Sequence, residues 1–289
     1  MPFCTIRQKS SVPEKESRIA MNNTRIEWSD MTWNPVTGCR KGCRYCYARD
    51  FAHRFKGCNA GAYAMWRDAH SDYPEKDQKL VLDVPMSRTQ KDGKVVAAPF
   101  PFGFEPTFHR YRLDEPAKTK QGKNIFVCSM SDLFGPWIPN EWISTVMDAC
   151  LKAPQHRYIF LTKFPARYMD LAKRELLPDG DNFWYGTTIT SPKDTMLYSD
   201  RRHTFASIEP LLEPFGKPSP LALTHIDWFI VGAETGNHEG KVTPEKEWVE
   251  NIVQHCDAMG KPVFMKDSLL PVVGEDCMRR DFPWEASKW

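Results

Sequence analysis

The chain has 289 residues, with 39 Lys and Arg against 37 Asp and Glu, and a net charge of +2. This length allows one barrel-sized domain or two small ones. The balanced charge excludes a strongly basic DNA-coating protein and an acidic-tail protein, although a local basic patch remains compatible with it. With 41% hydrophobic and 12% aromatic residues, the composition also excludes a disordered protein.

The sequence predicts neither a membrane protein nor a secreted one. Its apolar runs are far shorter than the roughly 20 residues that a membrane span needs. Residues 1–27 are polar and lack the apolar core of a signal peptide, so we expect a cytoplasmic protein. The nine cysteines, an odd number, favour metal binding or reactive thiols over a disulfide framework.

The first residues, 1–23, are charged, rich in serine and without hydrophobic periodicity, which predicts a disordered lead-in. Met21 could be an alternative start of the chain. The remaining residues, 24–289, are interpreted as one domain.

From about residue 125 onward, short strands alternate with helical stretches. The predicted strands are β-branched or aromatic and end at turn residues; they cover residues 125–129, 158–162, 183–189, 204–208, 228–231 and 262–265. Helical spacing predicts helices over 141–151 and 244–259, and a first strand is expected near 32–37. Such alternation is typical of parallel sheets, so we predict an α/β fold, an incomplete barrel with its site at the carboxyl ends of the strands.

Residues 57–123 interrupt this alternation with a stretch rich in proline, glycine and charge. We interpret them as an irregular insertion after the first strand–helix unit, either a lid or substrate wall or a plain surface excursion. Residues 270–289 follow the last predicted strand as a C-terminal extension.

The strongest chemical signal is a C-x3-C-x2-C motif formed by Cys39, Cys43 and Cys46. It follows the first predicted strand and precedes a predicted helix over 47–55, which places it at a carboxyl end of the sheet. Cysteine thiolates hold iron–sulfur clusters, and three of them leave one iron open for a small molecule.

Two other interpretations of the motif remain open. The first is a structural zinc site with Cys58 or His53 as its fourth ligand. The second is coincidental packing of three core cysteines, which the charged residues between them disfavour. The cysteines outside the motif are expected to be packing residues.

The motif, with Tyr45 before its last cysteine, resembles the signature of radical S-adenosylmethionine (SAM) enzymes. More closely, the chain resembles a phage- and prophage-associated three-cysteine-motif family of predicted radical SAM proteins, and more distantly the spore photoproduct lyases, which repair a thymine dimer in DNA. The resemblance implies a partial TIM-like barrel of the (βα)6 type. It lies in residues 26–30, 33–39, 106–109, 112–116, 129–134, 161–163, 209–212 and 231–236.

The resemblance implies an enzyme in which Cys39, Cys43 and Cys46 hold a [4Fe-4S] cluster. The open iron would bind SAM, and one electron from a donor would cleave SAM to methionine and a 5′-deoxyadenosyl radical that abstracts hydrogen from the substrate. Whether a lyase or a transferase reaction follows stays open, and the catalytic residues are not assigned.

The strand ends supply candidate SAM contacts. Lys163 would pair with the SAM carboxylate, Tyr45 would border the adenine, and Thr188 stands where the lyases have a ribose-binding serine. The other candidates follow neighbouring strands: Ser129, Ser131, Asp132, Glu209 and Glu234. Each has an alternative role, since serine and threonine also cap helices, Lys163 could be a solvated charge, and a carboxylate could serve the substrate or an ion pair.

Cys128 is not expected to be the hydrogen donor that the lyases have. When Ser131 and Asp132 are aligned with the lyase stretch, Ser129 falls at the donor position. Strand side chains alternate between faces, so Cys128 should point towards the helices.

Basic and aromatic residues interleave around the motif and could meet a phosphate backbone, although a solvated helix face is the alternative. The group comprises Arg40, Lys41, Arg44, Arg49, Arg54 and Lys56 with Trp33, Tyr47 and Phe51. A second possible anion contact is formed by His109, Arg110 and Arg112. We therefore predict a nucleic acid or nucleotide substrate. The alternatives are a peptide or protein partner, or a non-catalytic, metal-stabilised nucleic-acid-binding protein.

Overall fold

A sheet of eight strands organises the chain in a computed structural model, which describes residues 21–69, 80–197, 199–216, 225–236 and 239–285. The spatial order is β1-β2-β8-β9-β10-β11-β12-β13. These strands are β1 Met21–Asn23, β2 Met31–Trp33, β8 Asn124–Val127, β9 Arg157–Thr162, β10 Phe183–Ile189, β11 His203–Ile208, β12 Trp228–Val231 and β13 Val263–Met265.

Seven of these strands are parallel and curl into a half-barrel, and β1 pairs antiparallel with β2 at one edge. The predicted α/β fold with a parallel sheet is therefore confirmed. The strands predicted at 183–189 and 228–231 have the observed bounds, and the others are shifted slightly at their ends.

The first predicted strand, 32–37, is divided in the structure. Residues Met31–Trp33 form β2 in the main sheet, whereas β3, Val36–Thr37, pairs antiparallel with β7, Thr107–His109, in a separate sheet. Pro35 lies between them and has no N–H to donate to a ladder. Its carbonyl accepts from the N–H of His109, which turns the chain towards the second sheet.

Helices cover the outer face of the half-barrel, and helices also form the segment that follows the cysteine motif. The predicted helices over 47–55, 141–151 and 244–259 are present with slightly different ends. The helices are α1 Tyr47–Arg54, α2 Ala60–Ala69, α3 Glu115–Lys118, α4 Asn140–Leu151, α5 Ala166–Lys173, α6 Lys246–Ala258 and α7 Leu270–Val273. Among the described residues, none of the helices combines the length and apolarity needed to cross a membrane.

The predicted insertion, 57–123, contains regular structure rather than only irregular chain. In addition to α2, α3 and β7 it holds β4, Leu80–Leu82, which pairs with β7, and a hairpin of β5, Ser87–Thr89, with β6, Val95–Ala97. A small core of Trp66, Leu82, Met86 and Ala98 stabilises it.

The two ends of the described chain close the half-barrel. Of the predicted disordered lead-in, residues 1–20 lie outside the described part, but the last three form β1, so that prediction is wrong for them. Glu27 accepts from the N–H of Asp267, which links the segment before β2 to the end of β13. In the C-terminal extension Trp284 packs on Trp184 and Trp228 at the amino ends of the strands; residues 286–289 lie outside the described part.

Side chains alternate between the two faces of each strand, and this alternation separates a core on the helix side of the sheet from a core inside the half-barrel. Outward residues such as Tyr185 pack against the helices, while inward residues fill the half-barrel. The inner core is largely aromatic and comprises Trp28, Phe126, Ile159, Trp184, Phe205, Trp228, Ile230 and Phe264. Since this core fills the half-barrel near the amino ends of the strands, the open space lies towards their carboxyl ends.

Candidate functional site

Residues 39–46, here called the cysteine loop, directly follow a position that requires glycine. Gly38 has a φ of +88°, and a Cβ there would lie 2.3 Å from the carbonyl oxygen of Glu105. Only glycine tolerates both conditions. The Gly38 N–H donates to Met130 over 2.9 Å and the Cys39 N–H to Phe104 over 3.0 Å, so the loop is held between the end of β8 and the insertion.

Backbone groups contact the sulfur atoms of the loop. The Sγ of Cys46 accepts from the Arg49 N–H at 3.4 Å, at the N-terminus of α1, and the Sγ of Cys39 accepts from the Lys41 N–H at 3.5 Å. The Arg49 guanidinium donates to the Cys43 carbonyl over 2.8 Å, which tightens the loop onto the helix. All three thiols are half-buried.

Every predicted site residue lines one cavity of about 250 Å³ at the carboxyl ends of the parallel strands. The three thiols form one wall and the strand ends the other. The predicted residues present are Cys39, Cys43, Cys46, Tyr45, Ser129, Ser131, Asp132, Lys163, Thr188, Glu209 and Glu234. The structure thus brings together side chains that are far apart in the sequence.

Burial and neighbouring negative charge act together on the first thiol. The pKa of Cys39 is raised to about 11, chiefly by burial and in smaller measure by Asp132, Cys43 and Cys46, while the hydrogen bond from the Lys41 N–H lowers it. A cationic group bound among the thiols would offset this repulsion and hold them as thiolates.

The geometry does not form a site for a single metal ion. Across the described ranges, no three His, Cys, Asp or Glu side chains are close enough to hold one. In a [4Fe-4S] cluster each thiolate binds a different iron, so the sulfur atoms need not converge on one point. Neither Cys58 nor His53, the alternative fourth zinc ligands, lines the cavity. The three thiols on the cavity wall are a donor set of the kind that iron–sulfur clusters use.

The two predicted serines hold the segment that leads into the cysteine loop. The Ser131 hydroxyl donates to the Gly38 carbonyl over 2.7 Å, and the Ser129 hydroxyl donates to the Asn34 side-chain oxygen over 3.2 Å. The Tyr47 hydroxyl donates to the Ser129 carbonyl over 2.8 Å. Because a hydroxyl oxygen can still accept, each serine can contact a ligand in the cavity as well.

Asp132 holds the end of β9 in place. Its carboxylate accepts from the Thr162 hydroxyl at 2.6 Å, the Lys163 N–H at 2.9 Å and the Phe134 N–H at 3.2 Å. These bonds occupy much of its accepting capacity, so Asp132 positions Lys163 in addition to facing the cavity. Burial raises the pKa of this carboxyl.

Lys163 faces the cysteine loop across the cavity. Its Nζ lies 5.7 Å from the centre of the Tyr45 ring. Burial raises the pKa of Tyr45, which therefore stays a neutral ring. Thr188, at the carboxyl end of β10, is buried on the same wall. Lys163, Tyr45 and Thr188 thus line the same cavity.

Glu209 forms an ion pair with Lys266, which follows β13. Gly232 lies beneath the pair: a Cβ there would lie 3.1 Å from Lys266 Cδ and 3.2 Å from Glu209 Cγ. Absence of a side chain at this position allows the pair to lie across the end of β12. The ion-pair alternative is thus realised for Glu209.

Glu234 connects the end of β12 to the cysteine loop. Its carboxylate accepts from the Val242 N–H at 2.8 Å and lies 3.6 Å from the Arg44 guanidinium. Arg44 also donates to the Gly240 carbonyl. The cysteine loop thereby spans the mouth of the half-barrel.

Several cavity residues were not predicted from the sequence. Two of them, Lys266 and Ser207, could have been predicted from the sequence. Lys266 directly follows a strand, as Lys163 does. Ser207 lies two residues before Glu209, and residues two apart in a strand point to the same face. Ile26 and Trp28 lie in the stretch 26–30 that carries the family resemblance, but no strand or helix pattern places them at the cavity, since they belong to the irregular segment between β1 and β2.

Cys128 lies outside the cavity, as the alternation predicted. It is buried in the helix-side core, and burial raises its pKa to about 12, which keeps it a thiol. Its positive φ of 60° turns the chain towards the loop that carries Ser129 and Ser131.

The predicted basic and aromatic group needs one correction. Trp33 is fully buried in the core, and its N–H donates to the Arg112 carbonyl, so it cannot stack on a ligand. Tyr47 and Phe51 are exposed, and so are most of the predicted cations: Arg40, Lys41, Arg44, Arg54 and Lys56. Arg49 is half-buried on the Cys43 carbonyl.

The second predicted anion contact is wrong for two of its three residues, His109 and Arg112, whereas Arg110 is exposed and pairs with Asp83 over 3.2 Å. His109 is fully buried between Thr37 and Tyr111, and burial lowers its pKa well below the usual value. Arg112 is buried as well and donates to the Asn34 carbonyl. The apolar residues of the second sheet enclose both side chains.

One family model covers most of the chain, residues 23–268, and is described as "Protein of unknown function (DUF5131)". The chain belongs to the DUF5131 family. The DUF5131 match includes the cysteine loop, all seven parallel strands and every residue that lines the cavity. No curated protein and no solved structure matches the chain.

Proposed function

We propose that this DUF5131 protein is a radical SAM enzyme built on a partial TIM-like barrel of the (βα)6 type. The observation that carries the proposal is that Cys39, Cys43 and Cys46 face one cavity together with the polar ends of the parallel strands. When bound, a [4Fe-4S] cluster supplies the electron that cleaves SAM to methionine and a 5′-deoxyadenosyl radical.

The residues of the chain then bind and orient SAM. Lys163, fixed through its N–H by Asp132, offers an ammonium group to the SAM carboxylate. Tyr45 borders the adenine, and Thr188 offers a hydroxyl to the ribose. Ser129 and Ser131 can accept from the amino group while they hold the loop.

Glu209 already pairs with Lys266, and Glu234 with Arg44. The role of the two carboxylates is therefore to shape the cavity and its charge. The helix-side burial of Cys128 argues against a cysteine hydrogen donor of the lyase type. The reaction that follows hydrogen abstraction stays open between lyase and transferase.

The proposed substrate is a nucleic acid or nucleotide. Exposed cations on the cysteine loop and α1, together with the exposed rings of Tyr47 and Phe51, suit a phosphate backbone with stacked bases. An electron donor is required, and we place the protein in the cytoplasm, where thiols stay reduced. A peptide or protein substrate and a non-catalytic binding protein are the competing hypotheses.

The first prediction concerns the cluster. Anaerobically purified protein should contain about four irons with labile sulfide per chain and, when reduced with SAM, should release 5′-deoxyadenosine. Cys43→Ala should remove most of the iron and abolish the release. The matched control is Cys58→Ala, which changes a half-buried thiol outside the cavity and should leave both unchanged.

Two results would contradict the proposal. Stoichiometric zinc without sulfide would support a metal-stabilised binding protein. An intact cluster that never cleaves SAM would also favour a binding function over an enzyme.

A further inference from the structure

The deepest part of the cavity, here called the floor, is formed by Ile26, Trp28, Phe126, Leu161 and Ser207. Leu161 and Ser207 stand two residues before the strand-end positions, on the same face of their strands, and therefore lie further inside the half-barrel. The Trp28 ring packs on Phe126, with 4.7 Å between ring centres. The floor is thus mostly apolar and presents two tilted aromatic rings.

Two polar atoms of the floor lack a hydrogen-bond partner among the described residues: Nε1 of Trp28 and Oγ of Ser207. Trp28 is 2% exposed and Ser207 1%, so bulk water does not satisfy them. Buried polar groups in proteins are nearly always hydrogen-bonded, and an unpaired one is destabilising. Since both residues line the cavity, a molecule bound there can supply the missing partners.

The chemistry of these atoms restricts the ligand. An indole N–H can only donate, so the ligand must offer an acceptor, whereas the Ser207 hydroxyl can either donate or accept. The apolar ring surface around them favours a flat ring. A planar heteroaromatic ring with acceptors and donors on its edge meets both conditions, and nucleobases are of this type.

The mouth of the cavity favours a base that is attached to phosphate. Lys41 lines the cavity and is exposed, and Arg54 and Lys56 are exposed on and just after α1. The rings of Tyr47 and Phe51 are 59% and 44% exposed and offer stacking surfaces to neighbouring bases. An aromatic side chain of a peptide would fill the floor but would bring no negative charge to Arg54 and Lys56.

We propose that the floor binds one extruded base of a nucleic acid, with the Trp28 N–H and the Ser207 hydroxyl bonded to its polar edge. Enzymes that act on bases commonly take the base out of the stack and hold it by ring packing and edge hydrogen bonds. This inference rests on the proposed function and names the part of the substrate that enters the cavity.

The test measures binding rather than turnover. Anaerobically purified full-length protein, saturated with SAM, is titrated with uridine, thymidine, cytidine and guanosine by calorimetry. It is also titrated with labelled single strands of about eight nucleotides by fluorescence anisotropy. Ser207→Ala and Trp28→Phe should each raise the Kd of the preferred base about fivefold, as expected for one lost hydrogen bond.

The matched controls are Ser144→Ala, at a half-buried position of α4, and Trp137→Phe; both residues lie outside the cavity, and each variant should leave the Kd within about twofold. If Trp28→Phe fails to fold, Ser207→Ala decides, because it removes only one oxygen atom.

Three results would overturn the inference: no binding of any base or strand, binding that both floor variants leave unchanged, or tighter binding of aromatic peptides than of strands. The radical SAM proposal is judged separately by iron, sulfide and SAM cleavage. Base binding that depends on the floor in a protein without a cluster would therefore refute that proposal and leave the floor as a base site.

Discussion

At the scale of single residues, the buried carboxyl group of Asp132 and the half-buried one of Glu115 differ in their hydrogen bonding. Asp132 accepts three hydrogen bonds and holds the end of β9, whereas Oε2 of Glu115, at the start of α3, has no partner among the described residues. Burial raises the pKa of both, and for Glu115 from 4.5 to about 7, with Arg112 and Lys118 opposing the shift. Glu115 thus has a carboxyl group whose ionisation opposes folding near neutral pH.

The pH dependence of stability follows from this shift. The pKa of Glu115 is higher in the folded protein than in the unfolded chain. The stability that its protonated form contributes is therefore fully present below about pH 4.5 and is lost as the pH rises through about 7. Glu115→Gln cannot ionise, and it should be more stable than the natural protein at pH 8 by on the order of 2 kcal/mol. Urea denaturation at several pH values measures this difference.

A matched variant tests the cause. Glu250→Gln changes an exposed carboxylate that pairs with Lys246 one turn away, and it should alter stability by less than about 0.5 kcal/mol at any of these pH values. Equal pH profiles of Glu115→Gln and the natural protein would show that burial does not perturb this group.

At the scale of elements, β10 shows how the pleat builds the inner core. All its residues are buried: Tyr185 and Thr187 point towards the helix side, and Trp184 and Thr188 point inward. Gly186 stands between the inward residues and pairs with Phe205 on β11. The Phe205 ring lies directly over the glycine, because a Cβ there would be 2.2 Å from the ring.

Gly186→Ala should therefore destabilise the protein by about 1–3 kcal/mol, since the ring of Phe205 is held by the aromatic core and cannot move aside. Urea denaturation followed by tryptophan fluorescence measures the change. Gly61→Ala is the control, because it stands in α2 with nothing near its Cβ position. It should be neutral or stabilising by up to about 1 kcal/mol, and equal loss in both variants would contradict the packing argument.

At the scale of the whole molecule, the cysteine loop joins two distant parts of the half-barrel. Gly38 binds it to the end of β8, and Arg44 binds it to Glu234 and Gly240 beyond β12. These contacts are separated widely in sequence, so the loop can be ordered only when the sheet has formed. We expect its dynamics to depend on Arg44.

Arg44→Ala should raise amide hydrogen exchange in residues 39–46 about fivefold, equivalent to the loss of about 1 kcal/mol from the opening free energy. Arg40→Ala is the matched control in the same loop, because Arg40 pairs with Glu105 where both side chains are exposed. Such pairs contribute little, so exchange should hardly change. Equal exchange in both variants would show that Arg44 does not hold the loop.

The sequence by itself determined the parallel α/β sheet, because strand and helix periods reflect which side of each element is buried. It also determined the strand-end residues of the cavity, including Lys163 and Thr188, since the carboxyl ends of parallel strands meet at one edge. The motif cysteines were evident from their spacing alone.

Tertiary structure decided what local patterns do not encode. Trp33 and His109 look like surface candidates in the sequence, but packing of the second sheet buries them. Trp28 reaches the floor only because the segment before β2 folds across the half-barrel. Lys266 meets Glu209 only because β11 and β13 flank β12, which is followed by a glycine, Gly232. Contacts between residues far apart in the chain depend on how whole elements pack, and no periodicity within one element carries that information.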